Sequence, residues 1–167
     1  DEVTALVEWP VAISGSYDPH FLEVPAEALI SSMQDHQKYF PVVDEHGKLL
    51  PHFITLANIA SKDPQQIKAG NERVIRARLE DAVFFWNQDR RQTLHSRAAQ
   101  LDGMTFQKSL GSLGDKQTRI AAIATALAGQ LGFNVEQVQR AASLCKCDLV
   151  TSMVFEFPDL QGIMGRY

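Results

Sequence analysis

The chain has 167 residues, which is enough for one sizeable domain or two small ones. Its hydrophobic fraction of 45% and charged fraction of 22% are ordinary for a globular protein, and no run of about 18 apolar residues exists that could span a membrane. The formal net charge of −4 argues against a protein that binds nucleic acid through bulk charge, so any such contact would need local basic patches.

The first sixty residues combine extended and helical patterns. Residues 3–14 are apolar and β-branched, and Pro10 marks an edge or a bend. Residues 25–40 have helical spacing, with a proline at the first helical position. The side of this helix that we expect to be buried carries Ala28, Leu29, Ser32 and Met33. The period then becomes extended, and residues 39–43 and 49–59, separated by the turn DEHGK, predict a β-hairpin.

Two helices are predicted in the middle of the chain. The first has Asp63 as its N-cap and would end at Gly70, and Asn71 would cap the second. Apolar residues of the second helix recur at i, i+4, i+7 and i+11, which places them on one stripe. This stripe consists of Ile75, Leu79, Ala82 and Trp86. Phe84 and Phe85 would widen the apolar surface, so we expect the C-terminal end of this helix to be buried on more than one side.

Three arginines, Arg73, Arg76 and Arg78, lie close together on the second of these helices. Such a cluster could contact the phosphates of a nucleic acid. It could also be a solvated surface that pairs with itself, because Arg76 can reach Glu80 at i+4 and Arg78 can reach Asp81 at i+3. On the residues alone, self-pairing is the simpler interpretation, and both remain open.

The second half of the chain has a helical pattern. Residues 87–103 are polar and form a connector, so we place the domain boundary near residue 92. One long helix is predicted to end at Gly132, and Asn134 would cap a further helix that runs through both cysteines. The apolar stripe of the long helix consists of Ile120, Ile123, Ala124, Leu127 and Leu131. The predicted fold class is therefore α+β, with a mixed α/β portion over residues 1–92 and an all-helical portion over residues 93–167.

No constellation of a nucleophile with a base is apparent. The five histidines are scattered without metal-ligand spacing, and GSLGDK does not match a phosphate-binding loop. Cys145 and Cys147 lack a second pair and a nearby histidine, so we interpret them as core residues rather than as a metal site. In a helix they would point in different directions and could not easily form a disulfide, which favours a reduced, cytoplasmic setting.

The remaining candidates are basic residues at the ends of predicted elements. Lys38 and Tyr39 lie at a junction between a helix and a strand, Lys62 precedes a helix, and Lys116 and Arg119 open the long helix of the second half. A lysine beside an aromatic ring suits base stacking or phosphate contact. The tyrosine could equally be an ordinary inward-facing or outward-facing residue of the strand.

Four stretches resemble the β subunit of bacterial glycyl-tRNA synthetase. They are HQKYFPVVDEHGKLLPHFITLANI, SKDPQQIKAGNERVIRARLEDAVFFWNQD, SLGDKQTRI and KCDLVTSMVFEFPDLQGIMGRY. The resemblance extends over essentially the whole chain in order, and GNERVIRARLEDAVFF is a long and specific match. Because the β subunits of this family are several times longer, we expect this chain to be an internal fragment.

The resemblance implies a role within a larger enzyme. The whole synthetase ligates glycine to tRNA(Gly) using ATP and magnesium at its separate α subunit, and the β subunit chiefly supplies tRNA recognition. The expected partners are tRNA(Gly) and the α subunit, in the cytoplasm, with no membrane and no cofactor in this fragment. Residues 1–92 would be similar to the editing-type domain of the phenylalanyl-tRNA synthetase β chain, and residues 93–167 to the HD phosphohydrolases.

The helical portion departs from the hydrolase pattern that it resembles. HD hydrolases bind a metal through a His-Asp pair, but AASLCKCDL lies where they have AALLHD, so Cys145 or Cys147 replaces the ligand histidine. Lys116 stands at the first ligand position, and no histidine follows His95. The comparison with that pattern therefore predicts no metal site and no catalytic residue, because the imidazole ligands are missing. We expect a helical fold that is kept for packing and RNA contact.

Three hypotheses remain open. We prefer a non-catalytic module of a tRNA ligase that contributes to tRNA recognition and subunit architecture. The alternatives are a purely structural connector between tRNA-binding domains and an editing module that deacylates mischarged tRNA, for which the sequence offers no clear nucleophile or base. Under the preferred hypothesis, the candidate tRNA contacts are Lys38, Tyr39, Lys62, Arg73, Arg76, Arg78, Lys116 and Arg119.

Overall fold

A computed structural model of the chain describes residues 2–167, except for the side chain of residue 2. The fold is α+β, as predicted, and it divides into two compact units. The first unit ends at Trp86 and the second covers Asn87–Tyr167, so the division falls at the start of the polar connector, slightly before residue 92. No helix within residues 2–167 is long and apolar enough to cross a membrane. The predicted likeness of the two portions to editing-type and HD-like domains stays a prediction.

The first unit contains a three-stranded antiparallel sheet in the order β1-β3-β2. Its strands are β1 (Val11–Ser16), β2 (Phe40–Val43) and β3 (Leu49–Ala57). Its helices are α1 (Glu2–Leu6), α2 (Ala26–Ser31) and α3 (Pro64–Asp89), with a 3₁₀ turn at Pro19–Glu23 and a π-helical turn at Ser32–His36. The predicted hairpin is confirmed as β2 and β3, with a register shift between Pro41 and Val43.

Two expectations for the start of the chain need correction. The stretch 3–14 is not extended throughout, because α1 occupies its beginning, where Ala5 and Leu6 favour a helix, and β1 begins only after Pro10. The helix that follows Pro25 is shorter than predicted, because its backbone changes to π-type hydrogen bonding after Ser31. The inward side of this segment is confirmed by the burial of Ala28, Leu29, Ser32 and Met33.

A close approach between β1 and β3 forms the centre of the first unit. Gly15 pairs with Phe53 across the two strands, and a Cβ atom on Gly15 would lie 2.3 Å from Cζ of Phe53. Only glycine leaves room for this ring. The ring of Tyr39 stacks with that of Phe53, with 4.9 Å between their centroids.

Helix α3 is continuous through Gly70 and Asn71, so the predicted end and new beginning there are wrong. Asn71 is not an N-cap, because its Oδ1 accepts a hydrogen bond from the Tyr39 hydroxyl at 2.5 Å and its Nδ2 donates to the Ile67 carbonyl at 2.8 Å. The hydrogen bond with Tyr39 therefore explains why a polar residue stands at position 71, where the local sequence pattern predicts a helix cap. The predicted N-cap at Asp63 is supported, since its Oδ1 accepts a backbone N–H of the first turn at 3.2 Å.

The apolar stripe of α3 is largely confirmed. Ile75, Leu79 and Ala82 have no exposed surface, and Trp86 is half-buried. Phe84 is 61% exposed, although its ring makes an edge contact with Phe85. The expectation that both phenylalanines bury the end of the helix is therefore wrong for Phe84, because its position lies opposite the buried stripe.

The second unit is mainly helical. Its helices are α4 (Leu94–Arg97), α5 (Leu113–Leu131), α6 (Val135–Leu144), α7 (Ser152–Glu156) and α8 (Ile163–Arg166). Short 3₁₀ turns cover Ala98–Gly103, Cys147–Val150 and Pro158–Leu160. The predicted helical character holds for most of this unit, but a small hairpin of β4 (Thr105–Gln107) and β5 (Gly111–Ser112) precedes α5.

Local capping signals set the bounds of α5 and the start of α6. Ser112 and Asp115 form a capping box at the N-terminus of α5. Gly132 ends α5 with a φ of 74°, a left-handed conformation that glycine adopts without strain. Asn134 caps α6 by accepting a backbone hydrogen bond from Gln137 at 3.0 Å. The predictions for Gly132 and Asn134 are confirmed.

The prediction that the helix after Asn134 runs through both cysteines is wrong. This helix ends at Leu144. Beyond this end the backbone forms the 3₁₀ turn Cys147–Val150, in which Asp148 is buried and its Oδ2 accepts hydrogen bonds from the backbone N–H groups of Gly162 and Gly165. A Cβ atom on Gly165 would lie 3.3 Å from this carboxyl group. The turn thus places a buried carboxylate where backbone donors satisfy it.

A buried ion pair fixes the beginning of the second unit. Arg97 Nη2 lies 3.1 Å from Asp89 Oδ1, and both side chains are 9% exposed. The same carboxylate accepts hydrogen bonds from the backbone of Ser152 at 3.0 Å and of Met153 at 2.8 Å. The end of α3 is thereby joined to α4 and to the N-terminus of α7.

The apolar stripe of α5 is only partly covered: Ile120 and Ala124 are half-buried, but its other three residues are exposed. Ile123 is 63% exposed, Leu127 is 49% exposed and Leu131 is 66% exposed. The buried residues of α5 are instead Gln117 and Ala128. The packed side of α5 thus carries an amide and a small side chain, and the large apolar residues Ile123, Leu127 and Leu131 project from a different side.

Candidate nucleic-acid interface

The arginines of α3 are exposed to solvent. At 3.6 residues per turn, Arg73 and Arg76 lie about 60° apart around the helix, whereas Arg78 lies about 160° from Arg76. The predicted ion pairs of Arg76 with Glu80 and of Arg78 with Asp81 are absent from the salt bridges formed by residues 2–167. The surface is solvated, as that interpretation predicts, but the self-pairing is wrong, and two of the three guanidinium groups can share one surface.

Arg76 also contributes to the electrostatics of a neighbouring loop. The backbone N–H of His20 donates to Asp18 at 3.0 Å, and this hydrogen bond is the main reason that the pKa of Asp18 is lowered. The side chain of His20 acts in the same direction, and the positive charge of Arg76 adds a smaller effect. The field of Arg76 thus reaches beyond its own helix.

Lys38 and Tyr39 are separated by the fold. Lys38 is exposed and has a φ of 57°, which places it in the left-handed region where the turn after α2 ends. Tyr39 is 6% exposed, stacked on Phe53 and bonded to Asn71, and burial raises the pKa of its hydroxyl. In this structure the tyrosine ring is a core element rather than a surface for a base. Its predicted contact with RNA stays a prediction without a geometric basis.

Lys62 is exposed and lies two residues before the first residue of α3. The side chains of Ser61 and Asp63 on either side of it accept local backbone hydrogen bonds. Lys62 is therefore presented to solvent at a well-formed helix start, although no aromatic ring among residues 2–167 makes a cation–π contact with it.

The start of α5 combines basic and aromatic groups. Lys116 Nζ lies 3.8 Å from the ring centroid of Phe106 on β4, which is a cation–π contact. Arg119 follows on the next turn of α5 and is exposed, and Lys108 is exposed in the turn between β4 and β5. We refer to Phe106, Lys108, Lys116 and Arg119 as the hairpin surface.

Sequence reasoning missed two members of the hairpin surface, Phe106 and Lys108. The signal was available in the F-x-K spacing of TFQKSLGS, but the strands on either side are too short to show a period. The helix N-terminus beside them is not an open anion site. Ser112 and Asp115 cap it, and the hydrogen bond from the backbone of Ser112 is the main cause of the lowered pKa of Asp115.

Uncharged side chains lie where the hydrolase pattern would place metal ligands. Gln117, not Lys116, faces Cys147, with 3.6 Å between Nε2 and Sγ, and it also donates to the Ser143 carbonyl. Cys147 is buried whereas Cys145 is exposed, and burial is the main reason that the pKa of the Cys147 thiol is raised. No group of three or more His, Cys, Asp or Glu side chains in the described residues is placed to hold a metal ion.

A groove of about 610 Å³ lies along the flank of α5 that faces away from Ile123 and Leu127. Its lining is formed by small or amide side chains: Ala98, Gln117, Thr118, Ala121, Ala122, Thr125, Ala126, Gln139 and Ser143. None of these groups titrates near neutral pH, so the groove offers no general acid, no general base and no activated nucleophile among the described residues that line it.

Comparison with known proteins assigns the family. The family model described as "Glycyl-tRNA synthetase beta subunit" matches residues 1–167. This chain belongs to that family. A protein named glycine--tRNA ligase beta subunit from Chromohalobacter salexigens is 58% identical over 167 residues, and those of Sodalis glossinidius and Tolumonas auensis are 57% and 54% identical.

In each of these three comparisons the whole chain is aligned, but it spans only 24% of the relative's length. The family assignment therefore applies to a segment of a beta subunit. The candidate contacts that share a surface form two groups, the α3 arginines in the first unit and the hairpin surface in the second, and Lys38 and Lys62 stand as single exposed candidates.

Proposed function

We propose that this chain is a non-catalytic segment of a glycine--tRNA ligase beta subunit, and that it contributes to tRNA(Gly) recognition and to the architecture of the subunit. The whole enzyme would use ATP and magnesium at its α subunit, in the cytoplasm. The family match over all 167 residues supports this proposal, together with exposed cations on a chain whose net charge is −4.

The observation that carries the RNA-binding part of the proposal is the hairpin surface. Three cations lie in the turn after β4 and on the first two turns of α5, and one of them is held over an aromatic ring at 3.8 Å. Lysine and arginine suit the phosphate backbone, whereas an aromatic ring suits an unstacked base. Because the chain is acidic overall, binding would depend on these few contacts rather than on a general positive field.

The groove and the buried thiol of Cys147 favour a non-catalytic role over an editing activity. A deacylase needs a positioned nucleophile or a base that activates water, and the groove is lined by alanine, threonine, serine and glutamine side chains. The buried thiol of Cys147 has a raised pKa, so it is a poor nucleophile near neutral pH.

The experiment is a tRNA(Gly) titration of the assembled α and β subunits, comparing the native enzyme with a Lys116→Ala, Arg119→Ala double variant. We expect the affinity to fall about tenfold. Two lost phosphate contacts should also make the slope of log affinity against log salt about 2 smaller in magnitude.

The matched control is Lys48→Ala, which removes an exposed lysine from the turn between β2 and β3. It should leave both the affinity and the salt slope unchanged. Equal behaviour of the native enzyme and the double variant would support the structural connector instead. Deacylation of mischarged tRNA by the β subunit, lost on substitution within these residues, would support the editing module.

A further inference from the structure

Helix α5 carries an apolar surface that the described residues do not cover. Ile123, Leu127 and Leu131 follow one another at intervals of four residues, and we call these three residues the outer stripe. All three are at least 49% exposed, and Phe133, just beyond the end of the helix, is 63% exposed. Large apolar side chains in a contiguous exposed group mark a surface that another element covers.

The outer stripe is distinct from the packed side of α5. Gln117 and Ala128 are the buried residues of this helix, and Leu127 lies about 100° around the helix from Ala128. The groove of α5 lies on the opposite flank from the stripe. The second unit therefore already has a packed side for α5, and the outer stripe is an additional apolar surface.

The charge pattern identifies the kind of occupant. Residues 120–135 contain no Asp, Glu, Lys, Arg or His. The stripe itself therefore offers no cation to the phosphates of a tRNA, although Lys116 and Arg119 lie about one to two turns before it on α5. A surface without any charge over about three helical turns resembles the inside of a folded chain or an obligate interface more than a transient contact, which has a polar and charged rim.

The length of the family members supplies the occupant. The chain spans 24% of its relatives' length, so about three quarters of such a beta subunit lies outside these residues. This larger part of a beta subunit is available to cover the outer stripe within the same polypeptide.

We propose that the outer stripe of α5 is covered by an amphipathic helix from the part of the beta subunit that lies outside residues 1–167. The proposal rests on the chain being a segment of such a subunit. The covering helix would present apolar residues at i, i+3 or i+4, and i+7, which is the spacing that packs against Ile123, Leu127 and Leu131. The contact is internal to one polypeptide, so it forms without tRNA and without the α subunit.

The test measures thiol accessibility in the full-length β subunit alone, under native conditions. Leu127→Cys introduces a thiol into the outer stripe, and Gln137→Cys introduces a matched thiol at an exposed polar position of α6. The parent protein supplies the background rate from its own cysteines. We expect the thiol at position 127 to react with a maleimide about tenfold more slowly than the thiol at position 137, independently of protein concentration.

Equal reaction rates at the two positions would overturn the proposal. Protection that appears only at high protein concentration would identify a second copy of the chain as the occupant, and protection that needs the α subunit or tRNA would identify that partner. Each of these outcomes excludes the internal helix. In the isolated 167-residue chain the thiol at position 127 should react rapidly, but the comparison in the full-length subunit decides the matter even if the isolated chain does not fold. Because no tRNA is present, the result is independent of whether the hairpin surface binds RNA.

Discussion

Helices α3 and α5 have 26 and 19 residues, and each has an apolar stripe with helical spacing. In α3, Ile75 and Leu79 have no exposed surface, whereas in α5 Leu127 and Leu131 are 49% and 66% exposed. The same sequence pattern therefore accompanies two opposite environments. Periodicity identifies the side of a helix that favours burial, but the chain around the helix determines whether that side is covered.

The largest expected effect concerns the end of α3, where Asp89 and Arg97 are paired and buried. Arg97→Ala leaves the Asp89 carboxylate without its cation, and we expect the free energy of unfolding of the second unit to fall by about 3–5 kcal/mol. Chemical denaturation followed by circular dichroism measures this change. Arg91→Ala, which removes an exposed arginine from the same region, is the control and should change it by less than about 0.5 kcal/mol. A loss below about 1 kcal/mol for Arg97→Ala would contradict the buried pair.

The next prediction compares the two stripes directly. In the 167-residue chain, Leu79→Ala should destabilise the first unit by about 2–5 kcal/mol, because it leaves a cavity in a fully buried position. Leu127→Ala should destabilise the second unit by less than about 1 kcal/mol, since much of this side chain is already in contact with water. Denaturant titrations of both variants measure the two changes. Similar losses for both would show that the stripe of α5 is covered in the isolated chain.

In the full-length β subunit the same pair of variants sharpens the comparison. There the proposed helix would cover Leu127, and the cost of Leu127→Ala should rise toward that of Leu79→Ala. If Leu127→Ala still lowers the free energy of unfolding only slightly in the full-length subunit, the stripe of α5 is exposed there as well, and the proposed helix does not cover it.

Glycines within the two helices give a smaller effect of opposite sign. A Cβ atom added to Gly70 in α3 or to Gly129 in α5 would have no other atom within 4 Å, and neither glycine has a positive φ. Alanine at either position should therefore increase the free energy of unfolding by about 0.5–1 kcal/mol. Gly132→Ala is the control, and it should destabilise by about 1 kcal/mol because Gly132 has a φ of 74°. Destabilisation by Gly70→Ala would instead support the helix end that the sequence pattern predicted at Gly70.

What the sequence predicted correctly about these helices is local. Asp63, Gly132 and Asn134 act within one turn of their own positions, so their roles can be identified from neighbouring residues alone. Asn71 could not be interpreted in this way, because its partner is the Tyr39 hydroxyl 32 residues earlier. The sequence pattern of a cap and that of a buried amide are the same until the tertiary partner is known.

The candidate site shows the same limit. Lys116 and Arg119 could be selected from charge and position, but the contact of Lys116 with Phe106 depends on a hairpin with strands of three and two residues. Resemblance also placed Lys116 at a ligand position, whereas the structure places Gln117 beside Cys147. One residue along a helix changes the direction of a side chain by about 100°, so a sequence alignment alone cannot settle which neighbour faces the core.

The smallest expected effect concerns the N-terminus of α5. Backbone and side-chain hydrogen bonds from Ser112 lower the pKa of Asp115 below its usual value of 3.8, with a smaller effect of Arg119. A lowered folded-state pKa stabilises the fold above the unfolded pKa, and this contribution is lost as pH falls through the folded value. Relative to Asp115→Asn, the native chain should therefore be more stable near neutral pH, and the two should converge in acid.

Denaturation of both proteins from about pH 6 down to about pH 2.5 measures this convergence. In a Ser112→Ala background, the Asp115→Asn change should have a reduced effect, because the hydrogen bond from the serine hydroxyl is lost and the one from the backbone remains. A difference that persists unchanged at low pH would mean that shape or packing, rather than the charge of Asp115, stabilises this end of α5. Packing would then stabilise both helices, α5 at its N-terminus and α3 along its buried stripe. The contrast between the two helices would be smaller than the burial of their stripes suggests.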